Sequence, residues 1–353
     1  MPKKRHEKKI QPNIESPPPA PEPPSDPIRR LRTPSLLSIS DLTVPEVALL
    51  FRAAEKFLDV HKRGGTLPLL GGKTIGLLFF ENSTRTRLSF ETAAKKLGAG
   101  TLVFSPAGSS VAKGESFLDT LKNIEALRPD LFVIRHAVSG SAPYIAARSR
   151  NPVVNGGDGM REHPTQALLD AFTLLRRLGD LAGRKILILG DIIHSRVARS
   201  NIRLLKLLGA RVILCGPGSL LPREACWLGA DELTSSLDPW LPEVDAVITL
   251  RIQRERQNLS VIPSLEEYAR FYGLDRKRAS RMQPEALVLH PGPVNRGIEI
   301  APEVADGPRS VILEQVENGV ALRMAVLAAL LNPAGLWKFL EDDTLVAWGE
   351  PKP

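Results

Sequence analysis

The stretch FFENSTRTRLSF, residues 79–90, sets five donor side chains in a row: Ser83, Thr84, Arg85, Thr86 and Arg87. Apolar residues from Ile75 to Phe80 precede it. Leu88, Phe90, Ala93, Ala94 and Leu97 follow at helical spacing, and Gly98 stands where such a helix would end. A strand therefore runs into the N-terminus of a helix. The first N–H groups of a helix have no intrahelical partner, and its dipole favours an anion there. Hydroxyls add donors, and an arginine adds a planar fork that matches phosphate. One serine or threonine at this place would only cap the helix; five consecutive donors suit a bound anion.

Other polar clusters also follow apolar runs. Arg135 and His136 close LFVIRH, GGDGMREHPTQ follows PVVN, and GDIIHSR follows KILIL. RIQRER follows VDAVITL, and HPGPVNRG follows ALVL. Most of these groups are Arg, His, Gln, Thr and Ser. Arginine is no general base at neutral pH, and the acids nearby in sequence are Glu81, Asp158 and Asp191. No GxSxG or Cys–His arrangement points to a covalent intermediate. Glu162 and His163 are adjacent, and no His/Asp/Glu set has metal-ligand spacing. GDIIHSR is not GxGxxG, and GxxxxGK[ST] does not occur. What remains is a site that holds anions and polarises a carbonyl, working by orientation and electrostatic stabilisation. Such a site suits transfer of a group from a phosphate leaving group to a free amine.

These residues need elements to position them. Strand-like runs fall at 73–80, 101–105, 131–136, 152–156, 184–190, 211–216, 244–250 and 286–290, with helical patterns between most of them. That alternation predicts an α/β fold of parallel sheets covered by helices, whose ligands bind at the carboxyl ends of the strands. HPTQALLDAFTLLRRL, residues 163–178, reads as a helix bridging two α/β halves. A final apolar helix is expected at about 314–332.

Composition bounds the classes. The chain has 353 residues, room for two domains. Apolar content of 43% and charged content of 24% suit a soluble globular protein. Of the net charge of +8, part sits in the first 32 residues, where eight Lys/Arg face four Asp/Glu. Residues 1–34, with PPPAPEPPSDP, read as an extended, unpacked arm. Nothing aromatic accompanies its basic residues, which weighs against nucleic acid as a partner. Cys215 and Cys226 fit no zinc or dithiol spacing and suit a reducing compartment. No apolar run approaches a membrane span, and no signal-peptide pattern opens the chain, so a cytoplasmic location is expected.

STRTR after a strand, HPTQALLDAFT and HPGPVNRG together resemble the catalytic chains of the aspartate carbamoyltransferase family, over about residues 35–335. The resemblance implies two doubly wound parallel-sheet domains with an interdomain active site. It places a carbamoyl-phosphate domain at 35–165, an aspartate domain at 166–313, and a helix with tail at 314–353 that returns to the first domain. The implied reaction joins carbamoyl phosphate and L-aspartate into N-carbamoyl-L-aspartate and phosphate, an early step of pyrimidine synthesis. No metal or organic cofactor is implied.

The resemblance also implies roles. Ser83, Thr84, Arg85 and Thr86 would hold the phosphate, and Arg135 would bridge phosphate and carbonyl. His163 and Thr86 would polarise the carbonyl oxygen, and Gln166 would hold the carbamoyl nitrogen. Arg196, Arg251 and Gln253 would bind the aspartate carboxylates, and the backbone at Gly292 and Pro293 would orient the amine. Glu81 would pair with Arg196 and Arg251 on domain closure. Ser109 and Lys113, in SSVAKGES, would reach a neighbouring subunit's site in a homotrimer. Ser109 and Lys113 would there meet the phosphate, and Lys113 the aspartate as well. A regulatory chain or a dihydroorotase is a further possible partner.

Two other readings stay open on the sequence. In the ornithine carbamoyltransferase pattern a cysteine follows the histidine where this chain has Pro291. Arg251 and Gln253 also suit a dicarboxylic amine better than a cationic one. A catalytically silent homologue that only assembles with an enzyme would lack site residues, and none of the expected ones is missing.

Overall fold

The computed structural model describes residues 28–105, 116–224, 227–252 and 264–342. A long helix, α1 (Val44–Lys62), opens the described chain after a short ordered lead-in. The first half then alternates β1 (Thr74–Phe79), α2 (Thr84–Lys96), β2 (Gly100–Phe104), α3 (Phe117–Glu125), β3 (Leu131–His136), α4 (Ser141–Ala146) and β4 (Val153–Asp158). α5 (Pro164–Leu178) leads to the second half. There follow β5 (Lys185–Leu189), α6 (Arg196–Leu207), β6 (Arg211–Cys215), β7 (Glu232–Thr234), β8 (Ala246–Thr249), α7 (Leu265–Tyr272), α8 (Arg276–Ala279) and β9 (Leu287–Leu289). The described chain closes with α9 (Pro302–Ala305), α10 (Ile312–Leu331) and α11 (Pro333–Glu341).

The strands form two sheets, in the orders β2-β1-β3-β4 and β7-β6-β5-β8-β9. Every pairing in both is parallel. The inner strands are apolar because both faces are covered: Ile75, Leu77, Val133, Ile186, Ile188 and Ile248 are all fully buried. The eight strands expected from sequence are present, most with ends shifted by one or two residues. The ninth, β7, reads ELT and is half-exposed along its length. It has no apolar run to betray it, because it forms on the edge by pairing with β6.

α10 is buried all round from Val320 to Ala329, the apolar part of its sequence, while Leu313 and Val316 in its first turns are exposed. It packs against α1, α2 and α5. Among the described residues no helix is long and apolar enough to cross a membrane. Cys215 lies buried on β6, and burial pushes its thiol up to about 12, so it stays protonated.

Candidate active site

Each sheet has one place where the winding reverses: between β1 and β3 in the first, between β5 and β8 in the second. In doubly wound sheets a crevice opens beyond the carboxyl ends of the strands at that place. β1 leads to Ser83–Thr86, and β3 carries Arg135, next to its last residue, paired beside Phe79. β5 leads to Ser195 and Arg196 at the start of α6, and β8 leads to Arg251. The two crevices face one cavity of about 520 Å³.

Twelve of the fifteen residues singled out from sequence line this cavity. From the first half come Glu81, Ser83, Thr84, Arg85, Thr86 and Arg135; His163 and Gln166 come from α5 and its cap. Arg196, Arg251, Gly292 and Pro293 come from the second half. The other three, Ser109, Lys113 and Gln253, lie outside the described residues. The lining holds five arginines and one glutamate, an excess of positive charge suited to polyanionic ligands.

Ser83 is the N-cap of α2, but its side chain makes no capping hydrogen bond. Ser83 and the first turn of the helix, Thr84–Thr86, line the cavity together. Packing and the nearby Arg251 charge lower the pKa of Arg85, though as a guanidinium it remains charged at neutral pH. Arg135 donates from Nη1 to the Gly156 carbonyl at 3.2 Å, and its Nε lies 3.5 Å from Glu81. Gly157, at φ 116°, makes this crowding feasible: a Cβ there would lie 3.1 Å from both Arg135 Nη1 and Arg196 Nε.

His163 stands at the N-cap of α5, with Pro164 in the first turn, and does not cap it through its side chain. Its backbone N–H donates to Ser200 Oγ at 2.9 Å. The ring is buried, and Nδ1 has no hydrogen-bond partner. Burial, then the charges of Arg135, Arg196 and Arg323, hold the imidazole well below its usual pKa. It is neutral at pH 7, and a neutral imidazole still donates one N–H.

Arg196 bridges the two halves. Its Nη2 lies 2.8 Å from Glu81 Oε2, and its Nη1 donates to the Gly159 carbonyl at 3.2 Å. Beyond β9, the His290 Nδ1 accepts from the Gly292 N–H at 2.7 Å, while Nε2 faces Glu299 Oε1 at 3.1 Å. A carboxylate can only accept, so Nε2 carries the proton and Nδ1 is free to fix the Gly292 backbone. The other two nearby acids have structural partners. Asp158 accepts from the Gly140 and Glu162 N–H groups and from Asn155, and Asp191 faces His194 Nδ1 at 2.9 Å.

Several lining residues were not singled out from sequence. Arg323, inside the apolar run of α10, donates to Ser89 Oγ at 2.8 Å and stands 5.1 Å over the Phe90 ring. Burial lowers its pKa to about 10, so it keeps its charge. Gln315, one turn into the same helix, also lines the cavity. The signal was present: a lone arginine in VALRMAVLAALL is costly unless something anionic or polar meets it.

Known proteins resemble this chain along most of its length. Residues 34–176 match the family model "Aspartate/ornithine carbamoyltransferase, carbamoyl-P binding domain", and residues 182–330 match "Aspartate/ornithine carbamoyltransferase, Asp/Orn binding domain". The aspartate carbamoyltransferase catalytic subunit of Sorangium cellulosum is 51% identical over 319 residues, covering 90% of this chain and 97% of that one. The corresponding subunit of Myxococcus xanthus is 56% identical over 278 residues, covering 77% and 93%. Among solved structures, the aspartate transcarbamoylase of Trypanosoma cruzi in complex with N-(phosphonacetyl)-L-aspartic acid superposes with a TM-score of 0.79. It is 29% identical and covers 86% of this chain and 98% of its own. With both halves matched in order and one arginine-rich cavity between them, the chain belongs to the aspartate/ornithine carbamoyltransferase family.

Proposed function

We propose that this protein transfers the carbamoyl group of carbamoyl phosphate to L-aspartate, giving N-carbamoyl-L-aspartate and phosphate for pyrimidine synthesis. The observation that carries the reading is the meeting of two arginine-bearing switch points in one cavity. Arg85, Arg135 and the α2 N-terminus supply a phosphate site on one side. Arg196 and Arg251 supply two carboxylate partners on the other.

The neutral aspartate amine attacks the carbamoyl carbon. The carbonyl π pair moves to oxygen, then returns as the C–O bond to phosphate breaks, and the amine proton leaves with solvent or phosphate. Thr86, Arg135 and the neutral His163 donate to the developing oxyanion, and Arg85 meets the charge growing on phosphate. Gln166 meets the carbamoyl nitrogen, and the Gly292–Pro293 backbone orients the amine. Gln253 adds to the carboxylate site. Ser109 and Lys113 complete the phosphate site of an adjacent subunit in a closed trimer, with Lys113 also meeting the aspartate. A first domain over 35–165 binds carbamoyl phosphate and a second over 166–313 binds aspartate, with 314–353 returning to the first. The enzyme acts in the cytoplasm, a reading supported by the two cysteines in so long a chain, which fit no disulfide framework.

The test is a product assay: purified protein, labelled carbamoyl phosphate and L-aspartate should yield labelled N-carbamoyl-L-aspartate with release of phosphate. Absence of that product from folded protein would refute the assignment.

A further inference from the structure

Gln166 and Asp170 stand one turn apart on α5, and both are buried. Gln166 Nε2 donates to Asp170 Oδ1 at 2.9 Å. The same oxygen accepts from Gln315 Nε2 of α10 at 2.6 Å, and Oδ2 accepts from Asn201 Nδ2 of α6 at 2.8 Å. Gln315 is itself pinned, because its Oε1 accepts from the His290 N–H at 3.0 Å. The charged group facing Asp170 is Arg323, also from α10.

An ionised carboxylate accepts hydrogen bonds and cannot donate them. Asp170 therefore dictates which end of the Gln166 amide turns inward: the NH2 end. Gln166 lines the cavity, so its carbonyl oxygen is the polar atom left to the ligand. A carbonyl oxygen accepts from an N–H and gains nothing from a methyl group. The opposite amide orientation would set NH2 against the NH2 of a carbamoyl group.

We infer that Asp170 is a positioning residue: it holds the Gln166 amide with its oxygen toward the cavity, and so makes the site prefer an acyl phosphate bearing N–H over one bearing a methyl. This rests on the reading of Gln166 as the group that meets the carbamoyl nitrogen. A site built around a buried hydrogen-bond acceptor discriminates strongly against an analogue that lacks the donor.

The experiment compares wild type, Asp170→Leu, Asp170→Asn, Gln166→Ala and the Asp170→Leu/Gln166→Ala double variant. The readouts are kcat/KM for carbamoyl phosphate at saturating aspartate, and the inhibition constant of acetyl phosphate, the methyl analogue. Asp170→Leu should lower kcat/KM roughly tenfold to hundredfold, the loss expected when one buried hydrogen-bond partner is removed. Asp170→Asn should stay within about threefold of wild type. It keeps an oxygen for Gln166 and Gln315, and Asn201 can turn its amide to meet the new NH2. In the Gln166→Ala background, Asp170→Leu should cost no more than about threefold further, because coupled residues are not additive. The acetyl phosphate constant should hold within about threefold throughout, since the methyl group makes no use of the oriented oxygen.

Losses that multiply in the double variant, or an acetyl phosphate constant that rises in step, would overturn the inference and leave Asp170 a packing residue. If Asp170→Leu is not recovered folded, a crystal structure of wild type with phosphonoacetamide decides. The amide nitrogen of that ligand should lie within about 3.2 Å of Gln166 Oε1, with Nε2 on Asp170; the reverse orientation would contradict it. Wild type that binds carbamoyl phosphate but yields no carbamoyl aspartate would instead refute the function reading, and this inference with it.

Discussion

Glu81 Oε2 and Arg196 Nη2 lie 2.8 Å apart and join the end of β1 in one sheet to the start of α6 in the other. Arg135 shares the same carboxylate oxygen at 3.5 Å. One acid thus aims an arginine from each half into the cavity. Glu81→Gln keeps the shape and removes the charge. It should leave the fold intact and lower kcat/KM for aspartate on the order of 10–100-fold, as expected for a partly buried pair broken on one side. Steady-state kinetics alongside circular dichroism check this; near-normal aspartate kinetics would show that the pair does not position Arg196.

Arg85 follows β1 and Arg251 follows β8, and both line the same cavity, where burial and then the Arg251 charge lower the pKa of Arg85. Their loss should separate by substrate. Arg85→Ala should cut turnover on the order of 10²–10³-fold, by analogy with lost oxyanion donors. Arg251→Ala should raise KM for aspartate far more than KM for carbamoyl phosphate. Equal effects on both substrates would contradict the division of the cavity into two sites.

His163 is held neutral by burial and three neighbouring arginines. The sign for stability follows. Below the unfolded pKa of about 6.5 the unfolded chain takes up a proton that the folded chain refuses, so this residue makes stability fall as pH drops. Asp170, raised by burial to about 6, acts the other way. Between its unfolded value of about 3.9 and that folded value, its contribution to stability increases as pH falls. Denaturation at pH 7 and pH 5 should therefore show a smaller acid-induced loss in His163→Gln than in wild type. A larger loss would mean that the ring is protonated in the fold.

Lys113 lies in a segment assigned by resemblance to the neighbouring subunit's site. Lys113→Ala and Arg85→Ala should each be nearly inactive alone. Mixed by denaturation and reassembly, the two should recover about one-quarter of wild-type activity on the proposal of a closed trimer with shared sites, because each mixed ring would regain one intact site. Tagged mixed rings as inactive as their parents would show that the site is not shared in this way.

Most of the site was legible because its residues follow strands. An apolar run that ends in Arg135 or in STRTR announces a carboxyl strand end, and parallel sheets gather such ends on one side. β7 and α11 as a whole were not legible, since neither carries a periodic apolar signal long enough to register. Asp170, Gln315 and Arg323 escaped for another reason. Each is a polar residue on a helix whose apolar pattern speaks only of burial, and its partner comes from a different helix. Periodicity reports that a face is buried; it does not report which polar groups meet inside it. The glycines of NGGD were equally silent until Gly157 was seen between two guanidinium groups.

The choice of amine defines the reaction. Two arginines on the second sheet's side, Arg196 and Arg251, match two carboxylates, which aspartate has and ornithine lacks. The most direct measurement is carbamoylation of L-aspartate and L-ornithine in parallel by the wild-type protein, with carbamoyl phosphate in common. Aspartate should be carbamoylated at least about a hundredfold more efficiently, the discrimination available to a buried charge-paired site. Faster carbamoylation of ornithine would contradict the account.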